Sequence, residues 1–171
     1  LWIGCADARV PEWVQRLNNW LPPPPPPPSP WPLSQDQVFV HRNIANQFHL
    51  TDSNAVSVLI YRVTGIPDNP IKEVRVVGHT DCGGVKACWD ARPGGSGNTQ
   101  IPPDPVLWTW LGPLRTLAAK PGQTLENLTQ ENVELQMNNV KTLLGWLGKE
   151  NVQVKGYVYD IDERVLRELC A

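Results

Sequence analysis

The sequence has little net charge, no long apolar run and few cysteines, and each shortage excludes a class of protein. Its 15 basic and 17 acidic residues leave a formal charge of −2, which gives no electrostatic basis for binding nucleic acid or an acidic membrane surface. No apolar run approaches the roughly 20 residues of a membrane-spanning helix. Four cysteines in 171 residues are too few for a disulfide-dense scaffold. We therefore expect reduced thiols, no nucleic-acid partner and no membrane partner.

The remaining composition is typical of a single globular domain. A length of 171 residues with 41% hydrophobic residues allows one domain with a sizeable core, so we assign residues 1–171 to one domain. Seven consecutive prolines begin at Pro22 and predict a proline-rich surface loop over residues 22–33. Since the chain begins at Leu1 on a strand-like segment, we expect natural residues upstream, and we take a cytoplasmic location as the default.

Strand-like and helical patterns alternate along the chain. Apolar runs over residues 1–4, 38–40, 74–78 and 151–159 predict buried strands. The last of these should place its valines and Gly156 on one face, with Tyr157 and Tyr159 on the other. Helices are predicted over residues 11–21, 52–63, 85–91, 106–119 and 125–148, with a loop at 92–105. This alternation favours an α/β fold with a largely parallel central sheet flanked by helices.

Two of the predicted strands are followed by residues that can bind a metal. Cys5 follows the first strand, and His79 and Cys82 follow the third. Because the carboxyl ends of parallel strands meet at one edge of a sheet, these side chains should lie close together. Two thiolates and an imidazole suit zinc and leave a fourth tetrahedral position open for water. The sequence therefore predicts a catalytic zinc site.

Beside that site, Asp7 can accept a hydrogen bond and Arg9 can hold the Asp7 carboxylate in place. They follow Cys5 at alternate positions, which lie on one side of an extended segment. Arg9 can hold the Asp7 carboxylate in a bidentate grip and keep it ionised. An ionised Asp7 can then orient the hydrogen of a metal-bound oxygen.

Three motifs together resemble those of the β-class carbonic anhydrases. They are Cys-x-Asp-x-Arg at 5–9, Phe-Val-His-Arg-Asn-Ile-Ala-Asn at 39–46 and Gly-His-Thr-Asp-Cys-Gly-Gly-Val at 78–85. The segments at 131–133 and 156–160 also resemble the closing helix and last core strand of that family. The resemblance implies a β-carbonic anhydrase-like fold and these site residues: zinc ligands Cys5, His79 and Cys82, the catalytic dyad Asp7 and Arg9, and Gly83 lining the substrate position.

The resemblance also implies an activity and a regulation. The reaction would be reversible hydration of carbon dioxide to bicarbonate and a proton, by zinc hydroxide attack assisted by the Asp–Arg dyad. The enzyme would act as a homodimer or tetramer. One subtype of the family is inhibited by bicarbonate in a pocket of Trp, Arg and Tyr, and the matching residues here are Trp2, Arg42 and Tyr159. In that subtype the counterpart of Asp7 can become the fourth zinc ligand.

Other interpretations of the same residues stay open. The site could hydrolyse carbon disulfide or carbonyl sulfide with the same zinc and dyad. A non-catalytic zinc scaffold could recruit partners through its prolines, although the intact Asp7 and Arg9 argue against this. A Cys82 nucleophile paired with a histidine would lack a positioned base. Cys88 and Cys170 are expected to be ordinary thiols, and Asp81 could be either an acceptor for a zinc ligand or a turn residue.

Overall fold

The computed structural model describes residues 1–10, 39–65, 71–97 and 104–169. The predicted helix over 11–21 and the proline-rich loop over 22–33 lie outside the described residues. The strands are β1 (Trp2–Cys5), β2 (Val40–Asn43), β3 (Glu73–His79), β4 (Gln153–Asp160) and β5 (Val165–Glu168). The α-helices are α1 (Ser53–Thr64), α2 (Gly83–Asp90), α3 (Pro105–Trp110), α4 (Gly112–Ala118) and α5 (Leu125–Trp146).

The five strands form one mixed sheet that is mostly parallel. Their order is β2-β1-β3-β4-β5, and all neighbours are parallel except β4 and β5. The predicted α/β class is therefore confirmed, while the antiparallel edge strand β5 was not predicted. Since β1 and β3 are neighbours, their carboxyl ends, with Cys5 and His79, lie side by side.

The two faces of β4 pack against different groups of residues. Val154 and Val158 pack with the core that includes α5, whereas Tyr157 and Tyr159 share a buried cluster with Trp2. This confirms the predicted separation of the two faces. Glycine is needed where α5 crosses the sheet, since a Cβ added at Gly78 would lie 2.7 Å from Val133 Cγ2.

Helix α1 follows its predicted boundaries. The Asp52 side chain accepts hydrogen bonds from the backbone of Asn54 and Ala55, and Gly65 follows the last turn. The first is the ordinary capping role of Asp, and the N–H of Gly65 donates to the Tyr61 carbonyl at the other end. None of the helices in the described ranges is long and apolar enough to cross a membrane.

Two predicted boundaries are wrong. The single helix expected over 106–119 is two helices, α3 and α4, which meet at Leu111. Pro113 lacks a backbone N–H and cannot continue the hydrogen bonding of α3, so a new helix begins at Gly112. Residue 38 of the strand expected at 38–40 lies outside the described residues, and β2 runs on from Val40 to Asn43 because parallel pairing with β1 continues through the polar residues, up to Asn43 opposite Cys5.

Candidate active site

Three potential metal ligands meet where β1 and β3 end. Cys5 is the last residue of β1, His79 is the last residue of β3, and Cys82 immediately precedes α2. The Cys5 and Cys82 sulfurs are 4.0 Å apart. One ligand atom from each of the three residues lies within 4.8 Å of the other two, and all three residues are buried. The fold therefore brings together the three residues that the sequence marked as ligands.

The orientation of His79 leaves one ring nitrogen available. His79 Nδ1 lies 2.8 Å from the Thr80 carbonyl oxygen. A carbonyl can only accept, so Nδ1 carries the hydrogen and Nε2 is left as an acceptor. His79 Nε2 is buried and has no hydrogen-bond partner in the described part of the chain. A metal-binding histidine has this arrangement, since its other nitrogen donates to a carbonyl or carboxylate.

Without a cation, the pKa values of the two thiols shift in opposite directions. Their mutual hydrogen bond lowers the pKa of Cys5 and raises the pKa of Cys82 well above its usual range. Burial also raises both, because a buried thiolate loses its hydration. Two neighbouring thiolates therefore require a positive charge between them. With the free nitrogen of His79, this donor set fits a zinc ion.

Asp7 and Arg9 form a bidentate ion pair beside the cluster. Arg9 Nε lies 3.1 and 3.0 Å from the two Asp7 carboxylate oxygens, and Arg9 Nη2 lies 2.6 Å from Oδ2. The backbone N–H of Arg9 also donates to Asp7 Oδ1 at 2.9 Å. These bonds from Arg9 lower the pKa of Asp7 to about 2. Asp7 is therefore a carboxylate at any pH near neutrality.

Arg9 has a second partner that the sequence did not reveal. Its Nη1 donates to Asp81 Oδ2 at 2.9 Å, and its Nη2 lies 3.1 Å from the Asp81 carbonyl oxygen. Lys86 Nζ donates to the other Asp81 oxygen at 3.0 Å. The turn interpretation of Asp81 also holds, since its φ of 54° is left-handed. No local pattern links two residues that lie 72 positions apart.

A cleft of about 610 Å³ opens beside these charged groups. Asp7, Arg9, Asp81, Gly83 and Lys86 contribute to its lining. Apart from Gly83 itself, its chain neighbours and the backbone of its own helix, no atom of the described residues lies within 4 Å of the position that a Cβ on Gly83 would occupy. Space for a small substrate therefore exists next to Gly83, whose substrate-binding role stays a prediction.

Two of the three residues of the predicted bicarbonate pocket share one environment, and Arg42 lies in another. Trp2 and Tyr159 belong to the same buried cluster. Arg42 Nε donates to the Cys5 carbonyl at 2.7 Å, and Arg42 Nη2 donates to the Asp7 carbonyl. Arg42 therefore braces the segment that carries Cys5 and Asp7. The bicarbonate-regulatory role of these residues stays a prediction.

A buried amide network supports the loop after β2, and the sequence analysis missed it. Ala45 and Asn46 have positive φ angles of 59° and 47°. Asn132 and Gln47 both donate to the Ala45 carbonyl, at 3.0 and 2.8 Å, and Gln136 joins the two. A Cβ on Gly84 would lie only 2.9 Å from Ala45 Cβ. The network thus fixes the loop on which the start of α2 packs.

The fold and the site together define an α/β protein with a Cys-His-Cys cluster and an Asp–Arg pair at one edge of its parallel strands. A family model described as carbonic anhydrase matches residues 31–166. The chain belongs to the carbonic anhydrase family.

Several carbonic anhydrases resemble the chain in sequence and structure. A carbonic anhydrase of Candida albicans is 30% identical over 94% of this chain and 52% of its own length, and one of Emericella nidulans is 37% identical over 51% of this chain and 30% of its own length. Tetrameric β-carbonic anhydrases of Sordaria macrospora include a structural neighbour with a TM-score of 0.68, 27% identity and coverage of 99% of this chain and 79% of the other. The β-carbonic anhydrase CafA of Aspergillus fumigatus has a TM-score of 0.65 and 30% identity, and the match covers 98% of this chain and 73% of the other. The matches to the Candida albicans and Emericella nidulans enzymes thus span about half or less of the length of those two proteins.

Proposed function

We propose that this chain hydrates carbon dioxide reversibly, with zinc bound by Cys5, His79 and Cys82. One observation carries the proposal. His79 belongs to a cluster with two cysteines, and its buried Nε2 has no hydrogen-bond partner in the described residues. Such a nitrogen is costly to bury unless something binds it, and a divalent cation also neutralises the thiolates.

Asp7 and Arg9 orient the attacking water. Zinc, when bound, is a Lewis acid that makes water nucleophilic near neutral pH. Asp7, ionised and lining the cleft, accepts a hydrogen bond from the attacking water oxygen and directs a lone pair toward the carbon of the substrate. Arg9 keeps that carboxylate charged and oriented. Gly83 leaves room for the substrate, because no side chain fills the space in front of it.

The position of Asp7 supports an open fourth coordination site. Its two carboxylate oxygens bond to Arg9, and Asp7 is not a member of the ligand cluster formed by Cys5, His79 and Cys82. A three-ligand site with an open position is the arrangement of catalytic zinc. This observation favours catalysis over a closed structural site.

We also propose that the enzyme is a homodimer or tetramer, as the Sordaria macrospora relatives are tetrameric. Strand β2 lies at one edge of the sheet and leaves Val40 exposed. Natural proteins usually cover such an edge. Sedimentation of the purified chain at several concentrations tests this assembly.

Metal analysis followed by rate measurement tests the activity. Protein purified without added chelator should contain about one zinc per chain and hydrate carbon dioxide faster than buffer in a stopped-flow indicator assay. A chelator should abolish the activity, and added zinc should restore it. A metal-free protein with Cys5 and Cys82 joined in a disulfide would contradict the proposal. Carbon disulfide assayed in parallel separates the two substrate classes, and faster turnover of carbon disulfide would replace carbon dioxide as the substrate.

A further inference from the structure

The turn between His79 and Cys82 holds Asp81 in a fixed position. The Thr80 N–H donates to the Tyr159 carbonyl at 3.0 Å, and the Thr80 hydroxyl accepts from the Ile161 N–H at 3.0 Å. One side of the turn is thus bonded to β4 and its following turn, and the other continues directly into α2. Asp81 itself has a left-handed backbone, which Asp tolerates better than most residues. The carboxylate is therefore presented from a rigid support.

Arg9 is held along two edges of its guanidinium group. The Nε and Nη2 edge binds the Asp7 carboxylate, and the Nη1 and Nη2 edge binds the carboxylate and carbonyl of Asp81. A single ion pair at an exposed arginine is weak and leaves the side chain free to rotate. Arg9 is an exposed arginine, since 47% of its side chain is exposed, but it has two partners. Two partners on two edges restrict it far more than one.

Lys86 completes an alternating series of charges. It bonds to the Asp81 oxygen that Arg9 does not use, so both carboxylate oxygens of Asp81 are occupied. The order Asp7, Arg9, Asp81, Lys86 places a cation between the two carboxylates and balances their charge. Arg9 therefore screens the repulsion between the Asp7 and Asp81 carboxylates.

We propose that Asp81 is a positioning residue that acts through Arg9 to fix the Asp7 carboxylate at the edge of the cleft. This inference deepens the proposed hydration activity and rests on it for its catalytic part. The contacts join two segments of the site, since Asp7 and Arg9 follow one cysteine of the cluster and Asp81 precedes the other. Asp81 does not contact the substrate in this arrangement; it sets the plane of the guanidinium that orients Asp7.

Two substitutions of Asp81 test the proposal in the full 171-residue chain. Asp81→Asn keeps the size and the tolerance of a left-handed backbone, and Asp81→Gly suits that backbone and removes both oxygens. Each should lower kcat about tenfold, because a small displacement of a catalytic group is costly, with KM and zinc content unchanged. Asp162→Asn is the matched control, since Asp162 is an exposed carboxylate that does not line the cleft. It should not change kcat.

A double-mutant cycle separates positioning from general damage to the turn. In an Arg9→Lys background, Asp81→Asn should add less than about a twofold loss, because the fork through which it acts is gone. A full tenfold loss in that background overturns the proposal, as does an unchanged kcat in the parent background.

A measurement independent of activity keeps this test distinct from the test of carbon dioxide hydration. The Arg9 Nε–H signal in a ¹⁵N NMR spectrum can be assigned by its loss in Arg9→Lys. Its exchange with water should accelerate several-fold in Asp81→Asn and stay unchanged in Asp162→Asn. An unchanged exchange rate in Asp81→Asn overturns the proposal whether or not the protein hydrates carbon dioxide. If the parent is inactive, the proposed function fails, and the exchange rates still decide whether Asp81 restrains Arg9.

Discussion

The ligand cluster and the charged network are adjacent, yet they are stabilised in opposite ways. Cys5, His79 and Cys82 are buried, and the cluster contains a nitrogen without a partner. By contrast, Asp7 and Arg9 are partly exposed, and the oxygens and nitrogens of their side chains are paired. The cluster is therefore incomplete without a cation, whereas the network is complete within the chain. Removing a member of the cluster should therefore lower zinc content and activity more than removing a member of the network.

The largest effect is expected from loss of a ligand. Cys82→Ser should lower zinc affinity by more than the roughly 10- to 100-fold that partners of metal ligands typically contribute, and it should abolish activity. Zinc content measured by mass spectrometry and hydration rates measured by stopped flow check this expectation.

Cys88 provides the matched control for that substitution. It is equally buried, but it is not part of the ligand cluster. Burial raises its pKa to about 12, so it stays a neutral thiol at neutral pH. Cys88→Ala should retain zinc and activity. Equal zinc loss in Cys82→Ser and Cys88→Ala would refute the assignment of Cys82 as a ligand.

The next largest effect concerns the network. Asp7→Asn should lower kcat about 100-fold, because misplacing a reacting group can cost that much, while zinc content stays unchanged because Asp7 is outside the cluster. Asp162→Asn, at an exposed carboxylate that does not line the cleft, is the control and should have no effect. Loss of zinc in Asp7→Asn would mean that Asp7 acts as a ligand in solution.

These two regions also differ in how well the sequence predicted them. The ligand residues follow apolar runs, so the geometry of parallel strands was enough to expect Cys5 and His79 at one edge of the sheet. The contact of Arg9 with Asp81 depends on the exact direction of two side chains, and no periodicity encodes that direction. The same holds for the amide network around Gln47 and Asn132, which joins residues 85 positions apart.

The errors in the fold prediction have local causes. Strand β5 follows a polar turn and has two apolar residues followed by two charged ones, so it lacks the longer apolar run that marks the buried strands. The break between α3 and α4 was visible in principle, because Gly112 and Pro113 interrupt the helical pattern. The resemblance to β-carbonic anhydrases supplied the site roles that neither periodicity nor strand order could give.

Alanine substitutions at two glycines near the ligands should affect stability differently, because one glycine is tightly packed and the other faces open space. A Cβ on Gly78 would lie 2.7 Å from Val133 Cγ2, whereas a Cβ on Gly83 would meet no atom of the described residues within 4 Å beyond its chain neighbours and its own helix backbone. Gly78→Ala should therefore destabilise the fold by about 1–3 kcal/mol through overpacking. Gly83→Ala should stay within about 0.5 kcal/mol of the parent. Urea unfolding midpoints measure both.

The same pair tests the substrate position. If Gly83 borders the substrate, Gly83→Ala should lower kcat/KM for carbon dioxide without a change in stability, because the added methyl group enters the cleft. Gly78→Ala should instead affect kcat/KM only at denaturant concentrations where the fold begins to open. An unchanged kcat/KM in Gly83→Ala would place the substrate elsewhere in the cleft.

The smallest effect concerns the stability of the network at low pH. The hydrogen bonds from Arg9 lower the pKa of Asp7 to about 2, below the usual value of about 3.9 for an unfolded chain. Asp7 therefore stabilises the fold fully above about pH 4, and this contribution is lost as the pH falls through about 2. Because Arg9 is exposed and salt screens the pair, the contribution is small. The unfolding free energies of the parent and Asp7→Asn should differ by a constant amount above about pH 4 and converge below it. A difference that changes between about pH 6 and 9 would mean that Asp7 titrates near neutrality, and Arg9 would then not be the group that controls its charge.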